Sequence, residues 1–183
     1  MESIIRFLKK RLRLTVNREK SAVGHPWERD FLGYSMTWHR LTKLKVASDS
    51  IKRVKAQIRK IVGRGRGCSL TKVIGELTPL LRGWVNYFRL SSVKIAFEEL
   101  DGWIRRKLRC ILWQQWKKPR TRAKKMIERG IERERAFASA FNGRGAWWNS
   151  AASHMSAAVP TRWLTQQGLA SLLSEHQRFM RLS

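Results

Sequence analysis

The residues best suited to chemistry are arginines and tryptophans that recur along one predicted helix, residues 93–117. At 100° per residue, the second half of this helix has one side formed by Arg105, Arg106, Arg109, Trp113 and Trp116. Guanidinium groups bind phosphates in a bidentate fashion, and both guanidinium and indole groups stack on bases. This side is therefore a candidate nucleic-acid platform. The alternative is that the two tryptophans pack beneath the residues that follow them in the chain.

A second basic surface is predicted on the helix that starts near Ser48. Apolar residues of "SDSIKRVKAQIRKIV" share one face, and lysines and arginines cover the remaining circumference. The next stretch, "GRGRGCS", lacks the Gly-Lys-Ser/Thr ending of a phosphate-cradling loop, so it is interpreted as a flexible basic loop. The predicted nucleic-acid-binding residues are Lys20, Lys52, Lys55, Arg59, Arg64, Arg66, Arg82, Arg105, Arg106, Arg109, Trp113, Trp116, Lys117, Lys118, Arg120 and Arg122.

Neither a catalytic site nor a metal site is predicted. The only aspartates are Asp30, Asp49 and Asp101, whereas two-metal phosphoryl transfer needs clustered carboxylates. Glu98, Glu99 and Asp101 are close in sequence, but such charges on an amphipathic helix normally form a solvated face. The histidines and cysteines lack metal-ligand spacing, and no Gly-x-Ser-x-Gly elbow occurs. We therefore expect a binding protein with no catalytic residues, no metal ligands and no cofactor.

The charge of the chain indicates a polyanionic partner. Its 183 residues include 39 Lys+Arg against 13 Asp+Glu, a formal net charge of +26. Such a surface repels itself unless phosphates or counterions neutralise it. Nucleic acid is favoured over an anionic membrane because arginine predominates in the second half of the chain. No apolar run is long enough to span a membrane, and the two widely separated cysteines indicate free thiols in the cytoplasm.

The predicted fold is mainly α, with a short mixed α/β opening. Residues 3–13 form an amphipathic helix, which is interpreted as an ordinary packed helix rather than a transit peptide. Short strands are predicted at residues 14–16, within "FLGYSMTWHR" and at "KLKVA". These strands would precede a chain that is helical from residue 48 onward.

The helical part is predicted to contain several breaks. A helix over residues 69–77 is expected to end before Thr78, which would cap a new helix with Pro79 at its first position. The stretch "KKPRTRAKK" is interpreted as a linker. Further helices are predicted over residues 122–129, over residues 132–141 and within "LASLLSEHQRFM", with a turn at "GRGAWWNS".

Gly83 interrupts a regular helical pattern in "LLRGWVNYFRL". The apolar residues of this stretch recur at three- and four-residue steps, which predicts one buried face. A glycine inside a helix costs about 1 kcal/mol relative to alanine, but it allows another chain to come close. Gly83 is interpreted as a site of close helix packing, with the approach of a phosphate backbone as the alternative.

Five separated motifs resemble one protein family. They are "VNREKSAV", "FLGYSM", "LLRGWVNYFRL", "LDGWIRRKLRCILWQQWKKPRTR" and "GAWWNS". Their order and spacing resemble the C-terminal part of bacterial group II intron reverse transcriptase/maturases, nearly from end to end. The resemblance implies that residues 1–46 are the end of the palm, that 48–118 are a three-helix thumb or maturase-specific bundle, and that 119–183 are a small basic helical region similar to a DNA-binding region.

The resemblance also implies a function. Phe31, Leu32, Gly33 and Tyr34 would form a primer-grip-like hairpin. The chain would bind group II intron RNA and assist its splicing, while full-length members also take part in reverse transcription and intron mobility. The Tyr-x-Asp-Asp box of the family is absent here, so no polymerase activity is expected of this chain alone. Mg²⁺ is expected only through bound RNA or through the missing polymerase palm.

Two alternatives accompany this interpretation. The chain could be the thumb half of a split reverse transcriptase that acts in trans, or it could be a decayed, truncated remnant. The expected partners are structured intron RNA, target DNA or a primer–template duplex, and a separate fingers/palm chain. No membrane partner is expected.

Overall fold

A computed structural model describes residues 1–19, 21–64 and 67–182. Within these ranges the chain forms ten helices and one two-stranded sheet, which confirms the mainly α class with a small α/β part. In chain order the elements are α1 Glu2–Leu12, β1 Tyr34–Met36, β2 Leu44–Val46, α2 Ser48–Arg64, α3 Leu70–Tyr87, α4 Ile95–Gln115, α5 Pro119–Ile127, α6 Arg133–Ala140, α7 Ala146–Asn149, α8 Ser153–Ala158, α9 Thr161–Gln166 and α10 Leu172–Leu182. The predicted site residues Lys20 and Arg66, and the side chain of Arg64, lie outside what the structure describes.

The centre of the fold is a bundle in which α2, α3 and α4 pack against one another. Each helix contributes one buried apolar stripe at three- and four-residue spacing, as the sequence pattern predicts. Examples are Val54 and Ile58 on α2 and Ile104 and Leu108 on α4, all at most 2% exposed. The polar side of α2 therefore faces solvent, with Lys52, Arg53, Arg59 and Lys60 exposed and Lys55 half-buried.

Helix α3 runs without a break through Pro79, so the predicted restart at Thr78 is wrong. The buried residues Leu77 and Leu81 lie on either side of Pro79 and hold this part of the helix against the core. Pro79 and Gly75 are both exposed, so the Gly75 carbonyl that proline leaves without an N–H partner can bond water. The Thr78 hydroxyl does not cap a helix and instead donates to the Gly168 carbonyl at 2.8 Å.

Gly83 does not mark close helix packing, so that prediction is wrong. A Cβ atom built at Gly83 would meet nothing within 4 Å among the described residues. The residue is exposed, and the groove beside it is lined by side chains of α3 and α10, including Arg82 and Arg178. The approach of a phosphate backbone remains the open alternative for this position.

A short hairpin is attached to one end of the bundle. Strands β1 and β2 pair antiparallel with Tyr34 opposite Val46, which confirms the strands predicted in "FLGYSMTWHR" and "KLKVA". The Ser92 amide donates to Leu44 of β2 at 2.8 Å, and the Tyr34 hydroxyl donates to the Tyr87 carbonyl at 2.6 Å. The strand predicted at residues 14–16 is wrong, since no partner strand lies beside it within the described ranges.

Helix α1 forms where the sequence predicts a helix, but it is not packed. None of its residues is buried, and Ile4, Phe7 and Leu12 are each more than half exposed. The expectation of an ordinary packed helix is therefore wrong for this structure. Its apolar stripe lacks a covering element in the part of the chain that the structure describes.

The region after α4 packs directly on the bundle. Pro119 occupies the first turn of α5, so the predicted linker is helical there. The "GRGAWWNS" segment contains the short helix α7 rather than only a turn. One continuous hydrophobic cluster runs from Val46 through the bundle to Leu172. Residues on both sides of the predicted boundary between 118 and 119 thus contribute to one shared core.

Asp101 connects α4 to the start of α10, so its interpretation as part of a solvated face is wrong. Its carboxylate accepts the Leu172 amide at 2.9 Å, the Leu173 amide at 3.2 Å and the Ser171 hydroxyl at 2.7 Å. These are the bonds of a helix N-cap, supplied here by a residue distant in sequence. Glu98 and Glu99 are exposed, as predicted.

The packing of the hairpin leads to a prediction about truncation. Removing residues 1–30 should leave the stability nearly unchanged, because this segment contributes no side chain to the buried core. Removing residues 1–46 also deletes Val46, which is 4% exposed, and the Tyr34 packing on Phe88. Full burial of one such side chain contributes about 1.5–3 kcal/mol, so the shorter chain should unfold at clearly lower urea concentration. Equal urea midpoints for the two truncated chains would contradict the packing described here.

Candidate nucleic-acid interface

Trp113 and Trp116 belong to the core and not to a surface platform. Trp113 is 1% exposed and Trp116 is 7% exposed. The Trp113 ring lies 5.7 Å from the His154 ring of α8 and 4.7 Å from the Arg122 guanidinium of α5. The prediction that these two tryptophans stack on nucleotides is therefore wrong. The alternative, packing beneath the downstream residues, is confirmed because the region after α4 folds back over them.

Two of the predicted nucleic-acid-binding arginines also hold this packing together. The Arg109 Nε donates to the Val159 carbonyl at 3.0 Å, and the Arg122 Nε donates to the Trp113 carbonyl at 3.3 Å. Burial lowers the pKa of both guanidinium groups, and for Arg109 the charge of Arg105 lowers the pKa further. Both groups are committed to backbone carbonyls of the protein itself, which makes them poor candidates for the main phosphate contacts.

A different set of cations and aromatic rings meets at the surface. We call this set the Trp103–Trp147 cluster, and its members are Lys55 and Arg59 of α2, Trp103, Arg106 and Lys107 of α4, and Trp147 of α7. Measured to the centroid of the Trp103 ring, the Lys55 Nζ lies at 5.8 Å, the Arg59 Cζ at 5.4 Å and the Lys107 Nζ at 5.6 Å. Cations at such distances from an indole are attracted by its electron-rich faces. The cluster thus joins α2 and α4, with Arg59 exposed and the other members on these two helices half-buried.

The second ring of the cluster is Trp147, which is 41% exposed. The Arg106 guanidinium carbon lies 3.8 Å from its centroid, and the Lys107 Nζ lies 4.5 Å from it. The ammonium of Lys107 is therefore close to both indole rings. This arrangement has the composition of a nucleic-acid platform, since it combines stacking surfaces with phosphate-binding cations.

Local geometry explains why these residues meet. Lys55 and Arg59 are four residues apart, and Trp103 precedes Lys107 by the same interval, so each pair shares one side of its helix. Trp147 comes from a short helix that Asn149 holds in place. The Asn149 Nδ2 donates to the Arg144 carbonyl at 2.8 Å and to the Gly145 carbonyl at 3.1 Å. These bonds determine where the indole of Trp147 lies.

The cations of the cluster are not neutralised by the protein. Within residues 1–19, 21–64 and 67–182, none of Lys55, Arg59, Arg106 and Lys107 forms a salt bridge. By contrast, Lys52 is bonded to Asp49 at 2.9 Å, and this bond lowers the pKa of the Asp49 carboxyl. The four cluster cations thus leave a local excess of positive charge for an external anion.

The remaining predicted residues are dispersed. Lys117, Lys118 and Arg120 are exposed around the start of α5, and Arg105 is half-buried on α4. Arg82 lies elsewhere, on α3, where its Nε donates to Glu175 at 3.3 Å. Of the predicted nucleic-acid-binding residues, the structure brings Lys55, Arg59 and Arg106 together in the cluster.

Sequence reasoning missed Trp103, Lys107 and Trp147. The sequence spacing could have indicated Trp103 and Lys107, because a tryptophan and a lysine four residues apart share one side of a helix. Trp147 carried no such signal. Its place beside Arg106 depends on how residues 119–149 fold back, and local periodicity does not report that.

The four primer-grip-like residues lie together at the start of the hairpin. Phe31 is 76% exposed and Leu32 is 66% exposed, whereas burial raises the pKa of the Tyr34 hydroxyl. Gly33 has a φ of +77°, and a Cβ atom there would lie 2.6 Å from the Ser50 Oγ. Only glycine fits this position without strain. Contact with a primer stays a prediction.

No group of three or more His, Cys, Asp or Glu side chains is placed to hold a metal ion in the described part of the chain. Among the helices that the structure describes, none is long and apolar enough to cross a membrane.

Comparison with known proteins identifies part of the chain. Residues 51–129, from α2 through the end of α5, match the family model "Group II intron, maturase-specific domain". No curated protein matches the chain. The similarity therefore covers 79 of the 183 residues and concerns the helices α2 to α5. The matched segment contains five members of the Trp103–Trp147 cluster, and Trp147 lies beyond it.

Proposed function

We propose that this protein is related to group II intron maturases, binds group II intron RNA and assists its splicing. The observation that carries the proposal is the Trp103–Trp147 cluster, whose four cations lack salt bridges within the described residues and all lie in the matched segment 51–129. Folded RNA is a dense polyanion, and cations that replace its counterions gain affinity from counterion release. The excess charge of the cluster suits such a partner, and we expect the protein to act in the cytoplasm.

Binding would assist splicing through a population shift. An intron RNA must adopt its catalytic fold, and a protein that binds this fold but not competing folds stabilises it. When the concentration of free protein is 100 times its Kd for the RNA, binding stabilises the catalytic fold of the RNA by about 2.7 kcal/mol. The RNA and its bound Mg²⁺ would perform the chemistry. The protein would contribute phosphate contacts through Lys55, Arg59 and Lys107, and it would recognise the shape of the fold.

The proposal is tested with a triple variant of the cluster, Lys55→Gln, Arg59→Gln and Lys107→Gln. We expect it to bind a folded group II intron RNA about 10- to 100-fold more weakly in filter binding, because three phosphate contacts are lost. It should also fail to accelerate splicing at limiting Mg²⁺.

The matched control is Lys9→Gln, Lys10→Gln and Arg11→Gln. It removes the same charge from the exposed end of α1, and we expect it to keep both activities. Equal losses in the two triple variants would show that only net charge matters and would contradict a localised interface.

A second candidate function is the thumb half of a split reverse transcriptase. The exposed apolar stripe of α1 and the exposed Phe31 and Leu32 support it, because such surfaces suit a separate palm chain. The same chain could then contact a primer–template duplex or target DNA. Alone, it should not extend a primer, since the Tyr-x-Asp-Asp box that would hold catalytic metal ions is missing from its sequence.

A further inference from the structure

We propose that the Trp103–Trp147 cluster takes one unpaired nucleobase of the bound RNA. The protein would thereby distinguish a strand with a bulged or looped-out nucleotide from a continuous duplex. The inference rests on the proposed function, because it names the RNA feature that the same surface recognises.

The first argument is that Trp147 is both accessible and held in place. Its side chain is 41% exposed, yet Arg106 lies over its ring at 3.8 Å and donates to its backbone carbonyl at 3.0 Å. Asn149 holds the backbone of the same short helix at the Arg144 and Gly145 carbonyls. An aromatic ring that is fixed before binding loses little conformational entropy when a base stacks on it.

The second argument is the position of Lys107. Its ammonium lies within 6 Å of the centroids of both indole rings and forms no salt bridge in the described ranges. A lysine ammonium is a compact charge on a flexible stem, so it can move from an indole face to a phosphate. A nucleotide that stacks on an indole would bring its own phosphate to this ammonium.

The third argument concerns the shape of the partner. The bases of an RNA duplex are stacked on one another, and the deep, narrow major groove of A-form RNA excludes side chains. An exposed indole can therefore meet a base face only where a nucleotide is unpaired. Lys55 and Arg59, on successive turns of α2 beside Trp103, can bind the phosphates of the adjoining paired strand.

Trp148 is a close internal comparison. It neighbours Trp147 on α7 and is 46% exposed, but the cation over its ring is Arg144 at 4.3 Å. Among the side chains that the structure describes, no cation from α2 or α4 lies over its ring. Trp148 therefore matches Trp147 in residue type and exposure while lying outside the cluster.

The test uses two RNA hairpins that differ only by one unpaired 2-aminopurine nucleotide inserted into the stem. The full-length protein should bind the bulged hairpin on the order of tenfold more tightly than the paired one, and the fluorescence of the base should be quenched on stacking. Trp147→Ala and Trp103→Ala should lose this preference and the quenching while still binding the paired hairpin. Trp148→Ala should keep both, and Trp147→Phe should restore most of the preference.

The possible results separate this inference from the proposed function. Tight and equal binding of the two hairpins by the unaltered protein would overturn this inference and leave the proposed RNA binding intact. Failure to bind either hairpin or the folded intron would overturn both. Because Trp103 is partly buried, a melting curve accompanies each variant. Where Trp103→Ala melts early, the exposed Trp147→Ala carries the test, and retention of the preference in that variant would overturn the inference.

Discussion

Replacing Trp113 with alanine should lower the free energy of unfolding by about 3–5 kcal/mol. The indole is 1% exposed and lies between α4 and the helices that cover it, so its removal leaves a cavity. The change should also loosen the Arg122 guanidinium, which lies 4.7 Å from the Trp113 ring. Urea denaturation followed by tryptophan fluorescence and circular dichroism measures the effect.

The control for this prediction is Trp147→Ala. It removes the same side chain from an exposed position, so we expect a change in unfolding free energy within about 0.5–1 kcal/mol. RNA affinity should respond in the opposite order, falling for Trp147→Ala and remaining nearly normal for any Trp113→Ala protein that is still folded. If Trp113→Ala were as stable as the unaltered protein, the core described for α4 would be incorrect.

The affinity for folded intron RNA should fall by about 10³ between 50 and 200 mM monovalent salt. This corresponds to about six phosphate contacts, with a slope of log affinity against log salt on the order of −5. Lys55, Arg59 and Lys107 of the Trp103–Trp147 cluster would supply three of these contacts, and the exposed residues Lys117, Lys118 and Arg120 near the start of α5 would supply the others. Filter binding at several salt concentrations gives the slope directly.

Variants assign this slope to particular residues. The triple variant Lys55→Gln, Arg59→Gln and Lys107→Gln should have a slope shallower by about 3, because three counterion-releasing contacts are removed. The α1 triple variant should keep the slope of the unaltered protein. A nearly flat salt dependence for the unaltered protein would favour an apolar or protein partner over RNA.

The arginine–tryptophan side of α4 shows which features of the site could be predicted from the sequence and which could not. Periodicity correctly placed Ile104 and Leu108 on the buried face and Arg106 away from it. It could not show whether the other side was covered. Trp113 and Trp116 lie beneath α5 and later helices, whereas Trp103, about three to four turns earlier along the chain, is only partly buried.

The break predicted at Pro79 failed for a related reason. Proline weakens a helix locally by removing one hydrogen bond, and this local effect is all that the sequence reports. In the folded protein Leu77 and Leu81 are both fully packed, and the Thr78 hydroxyl is bonded to the Gly168 carbonyl. Tertiary contacts therefore hold the helix together at a position where the sequence predicts an end.

By itself the sequence determined the mainly helical class, the apolar stripes of α2, α3 and α4, and the net charge of +26. These properties depend on residue type and on spacing along one helix, and both are visible in a single segment. Only the tertiary structure decided which tryptophans are buried, that Asp101 caps α10, and that Trp147 joins Trp103 around Lys107. Those outcomes depend on how residues 119–182 pack on α4. Such packing brings together groups that are tens of residues apart, and helical periodicity carries no information at that distance.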